Sequence, residues 1–199
     1  MTERAYHHGN LRQALLERAW VTIDDDGIDA LSLRQLARDV GVSHGASARH
    51  FADRTALLDA IAVTGFTRMN DALATAATSE TTFAGQLRAA GLAYIGFAVD
   101  HPAILDLMYK AKHHPDASAD LLRLSRASMA VVVEFVGAAQ ATGEVRPGDV
   151  ERQALVVFAA VHGVAALATD DLLDGVPWRE AAEATIDAVL SSLTGVATS

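Results

Sequence analysis

Three observations predict an all-α chain. Apolar residues recur at spacings of three and four along nearly the whole sequence. Start and stop chemistry punctuates that pattern, with Ser, Asp and Pro at the starts and Gly at the stops. Two valine-rich runs, Val131-Val132-Val133 and Val156-Val157-Phe158, have strand propensity, but alanine-rich helical pattern continues on both sides of each. The length of 199 residues suits one or two units with a sizeable core, and a hydrophobic share of 51% speaks against disorder.

In chain order, Leu11, Leu15, Ala19, Thr22 and Ile23 share one face of a first helix that Gly27 ends. The acidic run Asp24-Asp25-Asp26 before it reads as a solvated helix end, although it opposes the helix dipole. Ser32-Leu33-Arg34-Gln35 has the form of a capping box, in which the serine accepts an amide and the glutamine reaches back. A short second helix then runs through Leu33, Leu36 and Ala37 to about Val40, and Gly41 supplies the left-handed stop. Ser43 is placed to cap a third short helix ending near Phe51. Asp53 can cap a long fourth helix with the apolar face Leu58, Ile61, Ala62, Phe66, Met69 and Leu73.

Residues 77–82 read as a loop. The next helix carries Phe83, Leu87, Ala90, Gly91, Tyr94 and Ala98, and it is apolar almost all round, which predicts a central position. His101-Pro102 breaks it, and Pro102 suits the first turn of a short helix. After a break at 113–116 come two long helices, over about 117–142 and 149–171, separated by Gly143 and Pro147-Gly148. Pro177 starts a final helix to about Leu193.

Composition removes several classes of function. Without cysteine there is no disulfide, thiolate metal site or cysteine nucleophile. His7 and His8 look like a metal pair but lack a nearby third ligand, so a terminal arm is the expectation. His113 and His114 beside Asp116 read as loop residues. No phosphate loop, nucleophile elbow or His-x-x-x-His spacing is present, so neither an enzyme nor a cofactor or metal is expected. The start of the chain has no apolar signal core. The apolar runs 127–141 and 154–169 are interrupted by Glu134, Gln140 and His162, which suits buried helices better than membrane spans. A cytoplasmic protein without a membrane partner is the expectation.

Net charge is −9, which argues against a surface coated with nucleic acid. The charge is uneven, however. Residues 1–54 hold seven arginines against eight acidic residues, and the remainder holds nine basic against seventeen acidic residues. Only the first quarter of the chain can face phosphate. There, Ala37, Gly41 and the short helix after Ser43 have the spacing of a helix-turn-helix, the small alanine allowing close crossing and the glycine making the turn.

The stretch from Tyr6 to Leu58 resembles the TetR family of transcriptional regulators. The resemblance rests on Tyr6-His7-His8-Gly9-Asn10-Leu11-Arg12, Gly27, Leu31-Ser32-Leu33-Arg34-Gln35-Leu36-Ala37, Val40-Gly41-Val42-Ser43, Gly45-Ala46, Arg49-His50-Phe51 and Leu57-Leu58. Further on, Met108-Tyr109 and Val161-His162-Gly163-Val164 look like a branch of the family with a His-Gly pair in its ligand domain. The resemblance implies a helix-turn-helix domain over 1–54 and a helical effector-binding and dimerisation domain over 55–199. It places Ser32, Arg34, Ser43, His44, Gly45, Arg49, His50 and Arg54 at double-stranded operator DNA. It also implies an effector site, for which Phe66, Met69, Tyr94, Phe97, Met108, Tyr109, Met129, Phe135 and His162 are the candidate lining. With few charges among them, the small effector should be largely apolar. His162 has two readings, a core histidine donating to a carbonyl or a ligand contact.

One short recognition helix reads only a few base pairs, so a homodimer is expected. Val157, Val161, Val164, Leu167, Ile186, Val189 and Leu190 on the last two helices are the candidate interface. Two positions depart from the family's pattern. Ser47 stands where a packing leucine is usual, and Ala48 where a tyrosine reaches DNA. The expected function is a ligand-released repressor in which Arg49 compensates. The alternative is a TetR-like ligand-binding module with weak or lost DNA binding.

Overall fold

The structure, a computed structural model, describes residues 8–195, with side chains from Leu11 onward. The arm assigned to His7 and His8 therefore lies outside the described side chains. Among the described residues there are nine α-helices and no strand: α1 (His8–Asp26), α2 (Leu33–Asp39), α3 (His44–Ala48), α4 (Arg54–Thr78), α5 (Phe83–Asp100), α6 (Pro102–Ala111), α7 (Ala119–Thr142), α8 (Val150–Thr169) and α9 (Trp178–Thr194). A 3-10 turn, Ile28–Ala30, joins α1 to α2. Both valine runs are helical, in α7 and α8.

The chain forms two compact units, one from 1–65 with 103–122 and one from 66–102 with 123–199. In the first, α1 packs on the 3-10 turn, α2 and α3. Its core gathers Leu15, Ala19 and Ile23 of α1, Leu36 and Ala37 of α2, Phe51, and Leu57 and Ile61 of α4. On the expected face of α4, Ile61, Ala62, Phe66 and Met69 are buried while Leu58 and Leu73 are half-buried, and Leu57 is fully buried beside them. Helices of seven and five residues cannot persist alone, because nucleation consumes most of what so few hydrogen bonds return. Tertiary burial of Leu36, Ala37 and Phe51 holds them in place.

The capping box is a correction. Ser32 occupies the N-cap of α2 with extended backbone, but its hydroxyl makes no cap hydrogen bond. Gln35 does not reach back; its amide donates forward to Asp39 Oδ1 at 2.6 Å, and Arg38 donates to Gln35 Oε1. The Arg38 guanidinium, a donor three residues ahead, takes the oxygen that would have accepted from the cap amide. Gly41 takes the left-handed conformation expected of it, with φ +72°. Within the same unit Gly65 lets α4 and α6 meet closely, since a Cβ there would lie 2.5 Å from Met108 Sδ.

In the second unit α5, α8 and α9 pack on one another. Ile95 and Ala98, Val157, Val161 and Val164, and Ile186 and Val189 bury their side chains there. α5 meets both other helices, which explains its apolar circumference. It approaches α9 at Gly91, where a Cβ would lie 2.9 Å from Ile186 Cδ1. The expected loop at 77–82 is shorter than predicted. α4 continues to Thr78 with Ala77 buried, and Thr82 caps α5 by accepting from the Gly85 amide at 3.1 Å. α8 is capped by Asp149, which accepts from the Arg152 amide at 3.0 Å. α4 and α7 are tied by Ser128, whose hydroxyl donates to Asn70 Oδ1 at 2.7 Å. Among the described residues, α8 alone is long and apolar enough to cross a membrane, with a mean hydropathy of 1.4 over its most apolar window.

Candidate nucleic-acid interface and effector site

The polar surface of the first unit is built by a cap, a turn and a small core residue. Ser43 Oγ accepts from the Ala46 amide at 3.2 Å, which fixes the first turn of α3. Consequently His44, Gly45, Ala48 and Arg49 are exposed and His50 is half-buried. Ser32 and Arg34, at the start of α2, are exposed as well. Ser47 faces inward with 0% exposure, and its hydroxyl donates to the His44 carbonyl at 2.8 Å. The buried hydroxyl is thus satisfied within its own helix, and no polar group is stranded.

Arg54 is exposed at the start of α4, and its guanidinium donates to the Ile28 carbonyl at 2.7 Å. The cation therefore ties the 3-10 turn to α4. Two further contacts were invisible in the sequence. Arg12 lies over the Phe51 ring, 5.4 Å from its centroid, and Arg18 donates to Asp39 Oδ2 at 2.8 Å. No motif marks a pair separated by twenty-one residues. The hydrogen bonds from Arg18 and then Gln35 hold the Asp39 carboxyl below the usual carboxylate range, and the same pair raises the Arg18 guanidinium.

The candidate effector residues divide between the units. Met108 and Tyr109 belong to the first, with Met108 fully buried and the Lys112 ammonium 4.3 Å from the Tyr109 ring centroid. Burial pushes the Lys112 ammonium down from its ordinary value. The other seven belong to the second unit, where Phe66, Met69 and Tyr94 are buried and Phe97, Met129, Phe135 and His162 are half-buried. Tyr94 Oη lies 2.8 Å from His162 Nδ1, which joins α5 to α8. Phe158, not singled out in the sequence, stacks on His162 at 11° with centroids 5.3 Å apart. Its signal was there to read, since it precedes His162 by one helical turn. Tyr94 stands edge-on to Phe158 at 74° and to His162 at 63°. The cluster is apolar in bulk with one hydrogen-bonded polar pair.

Of the expected interface residues, Val157, Val161, Val164, Ile186, Val189 and Leu190 are buried inside this chain, where α5, α8 and α9 meet. Leu167 is exposed, and so are Leu155 and Val156 on the same helix.

Comparison with known proteins agrees with this architecture. The tetracyclin repressor-like C-terminal domain matches residues 87–193, and the tetR family of bacterial regulatory proteins matches residues 15–61. The chain belongs to the TetR family, and it is a transcriptional regulator with a helix-turn-helix domain, not an enzyme. It is 47% identical to a protein of unknown function from Rhodococcus sp. RHA1, over 96% of this chain and 100% of that one, with a TM-score of 0.90. A bacterial regulatory protein of the tetR family from Rhodococcus RHA1 shares 21% identity over 96% and 98% of the two chains, with a TM-score of 0.69. A TetR family transcription regulator from Marinobacter aquaeolei VT8 shares 16% identity over 93% and 96%, with a TM-score of 0.71. No curated protein matches the chain.

Proposed function

We propose that the protein is a ligand-released repressor that binds operator DNA as a homodimer in the cytoplasm. Residues 1–54 would contact DNA, and 55–199 would take a small, largely apolar effector and pair the two chains. The observation that carries this reading is the capped α3 with His44, Gly45 and Arg49 exposed on it. Arg34 and Arg54 add two further exposed cations nearby in sequence. In a dimer the two α3 helices would reach half-sites about one helical turn apart, ~34–36 Å, or a multiple of it.

Satisfied burial of Ser47 supports compensation over loss of DNA binding. The helix that lacks the usual leucine is closed and hydrogen-bonded, so Arg49 has a fixed platform. Effector binding is supported by the Tyr94–His162 pair set among Phe158 and apolar neighbours. For the dimer, the available apolar surface is the face of α8 that carries Leu155, Val156 and Leu167.

The test is a gel shift on the promoter of the protein's own operon over a range of salt. A retarded complex that weakens with salt is expected. Absence of any complex at low salt, with a thermal shift still produced by apolar ligands, would leave the DNA-silent ligand-binding module as the better reading.

A further inference from the structure

The chain has two lysines, Lys110 and Lys112, against fourteen arginines. A guanidinium keeps its proton under ordinary conditions, whereas an ammonium can lose one and become a nucleophilic amine. Side-chain amine chemistry is therefore confined to the end of α6, and the two lysines there are held differently. Lys110 is exposed, and its ammonium pairs with Asp106 Oδ2 at 2.8 Å, one helical turn back. The carboxylate favours the charged, unreactive form. Lys112 is half-buried, and its backbone amide still donates to the Met108 carbonyl at 3.3 Å, so the helical path carries on to it. Its side chain lies back over Tyr109, three residues earlier, with Nζ 4.3 Å from the ring centroid. Among the described residues no carboxylate pairs with it.

The ring face favours the ammonium, and the loss of water around it favours the neutral amine. The second effect prevails, since burial pushes Lys112 down from its ordinary value. A partly dehydrated amine that is neither ion-paired nor sealed from solution is in the state that attacks a carbonyl carbon. We propose that Lys112 is an acylation site of this protein, selected over Lys110 by its seat on the Tyr109 ring and modified by activated acyl groups (acyl phosphates or acyl thioesters). In the reaction the neutral Nζ attacks the acyl carbon and forms an amide C–N bond. The bond from that carbon to the phosphate oxygen or the thioester sulfur breaks, phosphate or thiol departs, and the surplus amine proton passes to water. The product is uncharged and no longer holds a cation against the ring. Lys112 belongs to the unit that also contains the helix-turn-helix, so the modification marks that unit.

The test uses the full chain with acetyl phosphate in one arm and acetyl-coenzyme A in the other, near neutral pH. A protease that cuts before aspartate leaves both lysines on one peptide, 106–115, where tandem mass spectrometry counts the acetyl groups on each. Lys112 is expected to be acetylated several-fold faster than Lys110 in at least one arm, and that arm identifies the donor class. Equal rates or a faster Lys110 in both arms overturn the proposal. In guanidinium chloride, with the chain unfolded, the two rates should converge. A preference for Lys112 that survives unfolding belongs to the local sequence beside His113 and His114 and overturns the role of the folded seat. Asp106→Asn, a surface change, separates the two environments. It should raise the Lys110 rate toward that of Lys112 and leave Lys112 unchanged. A Lys110 that stays as slow without its carboxylate overturns the assignment of selectivity to these two environments.

Discussion

The unit built on α1, α2 and α3 and the unit built on α5, α8 and α9 are both helical, yet they are held by different means. In the first, short helices depend on a small core, a serine cap and polar ties such as Arg18 to Asp39 and Arg54 to the Ile28 carbonyl. On α2 and α3 it exposes Arg34, Arg38, His44 and Arg49. Long helices in the second bury Val161, Ile186 and their neighbours, and one of them still exposes Leu155, Val156 and Leu167. A polar surface on a fixed scaffold suits a ligand with many charges and ordered contacts. An apolar stripe left outside a finished core suits another protein surface.

The strongest way to break this comparison is to put the same charge on the two faces of α8. Val161→Asp places a carboxylate where the valine is 8% exposed, among α5, α8 and α9. It should destabilise the second unit by roughly 3 kcal/mol or more, seen as a lowered thermal midpoint. Leu155→Asp, at a position 55% exposed, should leave the helical signal intact and act on assembly alone. Equal melting of the two variants would show that the inner and outer faces have been misassigned.

That contrast marks what the sequence could and could not show. Helix number, the valine runs and the left-handed Gly41 follow from local spacing and backbone chemistry, and the structure has them. The family was legible for the same reason, since its pattern around Ser43 is local. Which side of α8 faces the chain's own core was not legible, because valine and leucine populate both sides and periodicity carries no label of partner. Gln35 misled for a related reason. Its spacing from Ser32 fits a cap, but its oxygen is also within reach of Arg38 three residues ahead, and spacing cannot rank the two donors.

Ser47→Leu sharpens the comparison on the side of the first unit. Ser47 has 0% exposure and its hydroxyl is engaged, with Ala46 and Ala48 beside it, so the helix has closed onto a small side chain. Overpacking by leucine should cost ~1–3 kcal/mol in a denaturant melt. A variant more stable than its parent would reveal an unfilled gap and favour the DNA-silent module. Arg49→Ala should do less to the fold and more to its partner. It removes an exposed cation from the end of α3, so operator affinity should fall by about tenfold, ~1.4 kcal/mol, with the melt unchanged. Undiminished affinity at moderate salt would take Arg49 out of the interface.

The smallest expected effect belongs to the tie between α1 and α2. Arg18 donates to Asp39 Oδ2 and Gln35 donates to Oδ1, so the folded carboxyl titrates below its value in the unfolded chain. A depressed folded pKa gives stability that is fully present above the ordinary aspartate range and is lost as pH falls through the folded value. The contribution therefore disappears on the acid side, and the guanidinium, raised by the same contact, stays charged throughout. Because Arg18 is 41% exposed, water and salt screen the pair, and its effect should shrink with ionic strength. Asp39→Asn should accordingly flatten part of the acid limb of the stability curve while altering stability near neutral pH only slightly. Measuring thermal midpoints of parent and variant from neutral to acid pH, at low and high salt, tests this. Parallel curves for the two proteins would mean that Asp39 carries no folding-linked proton and that burial alone joins α1 to α2.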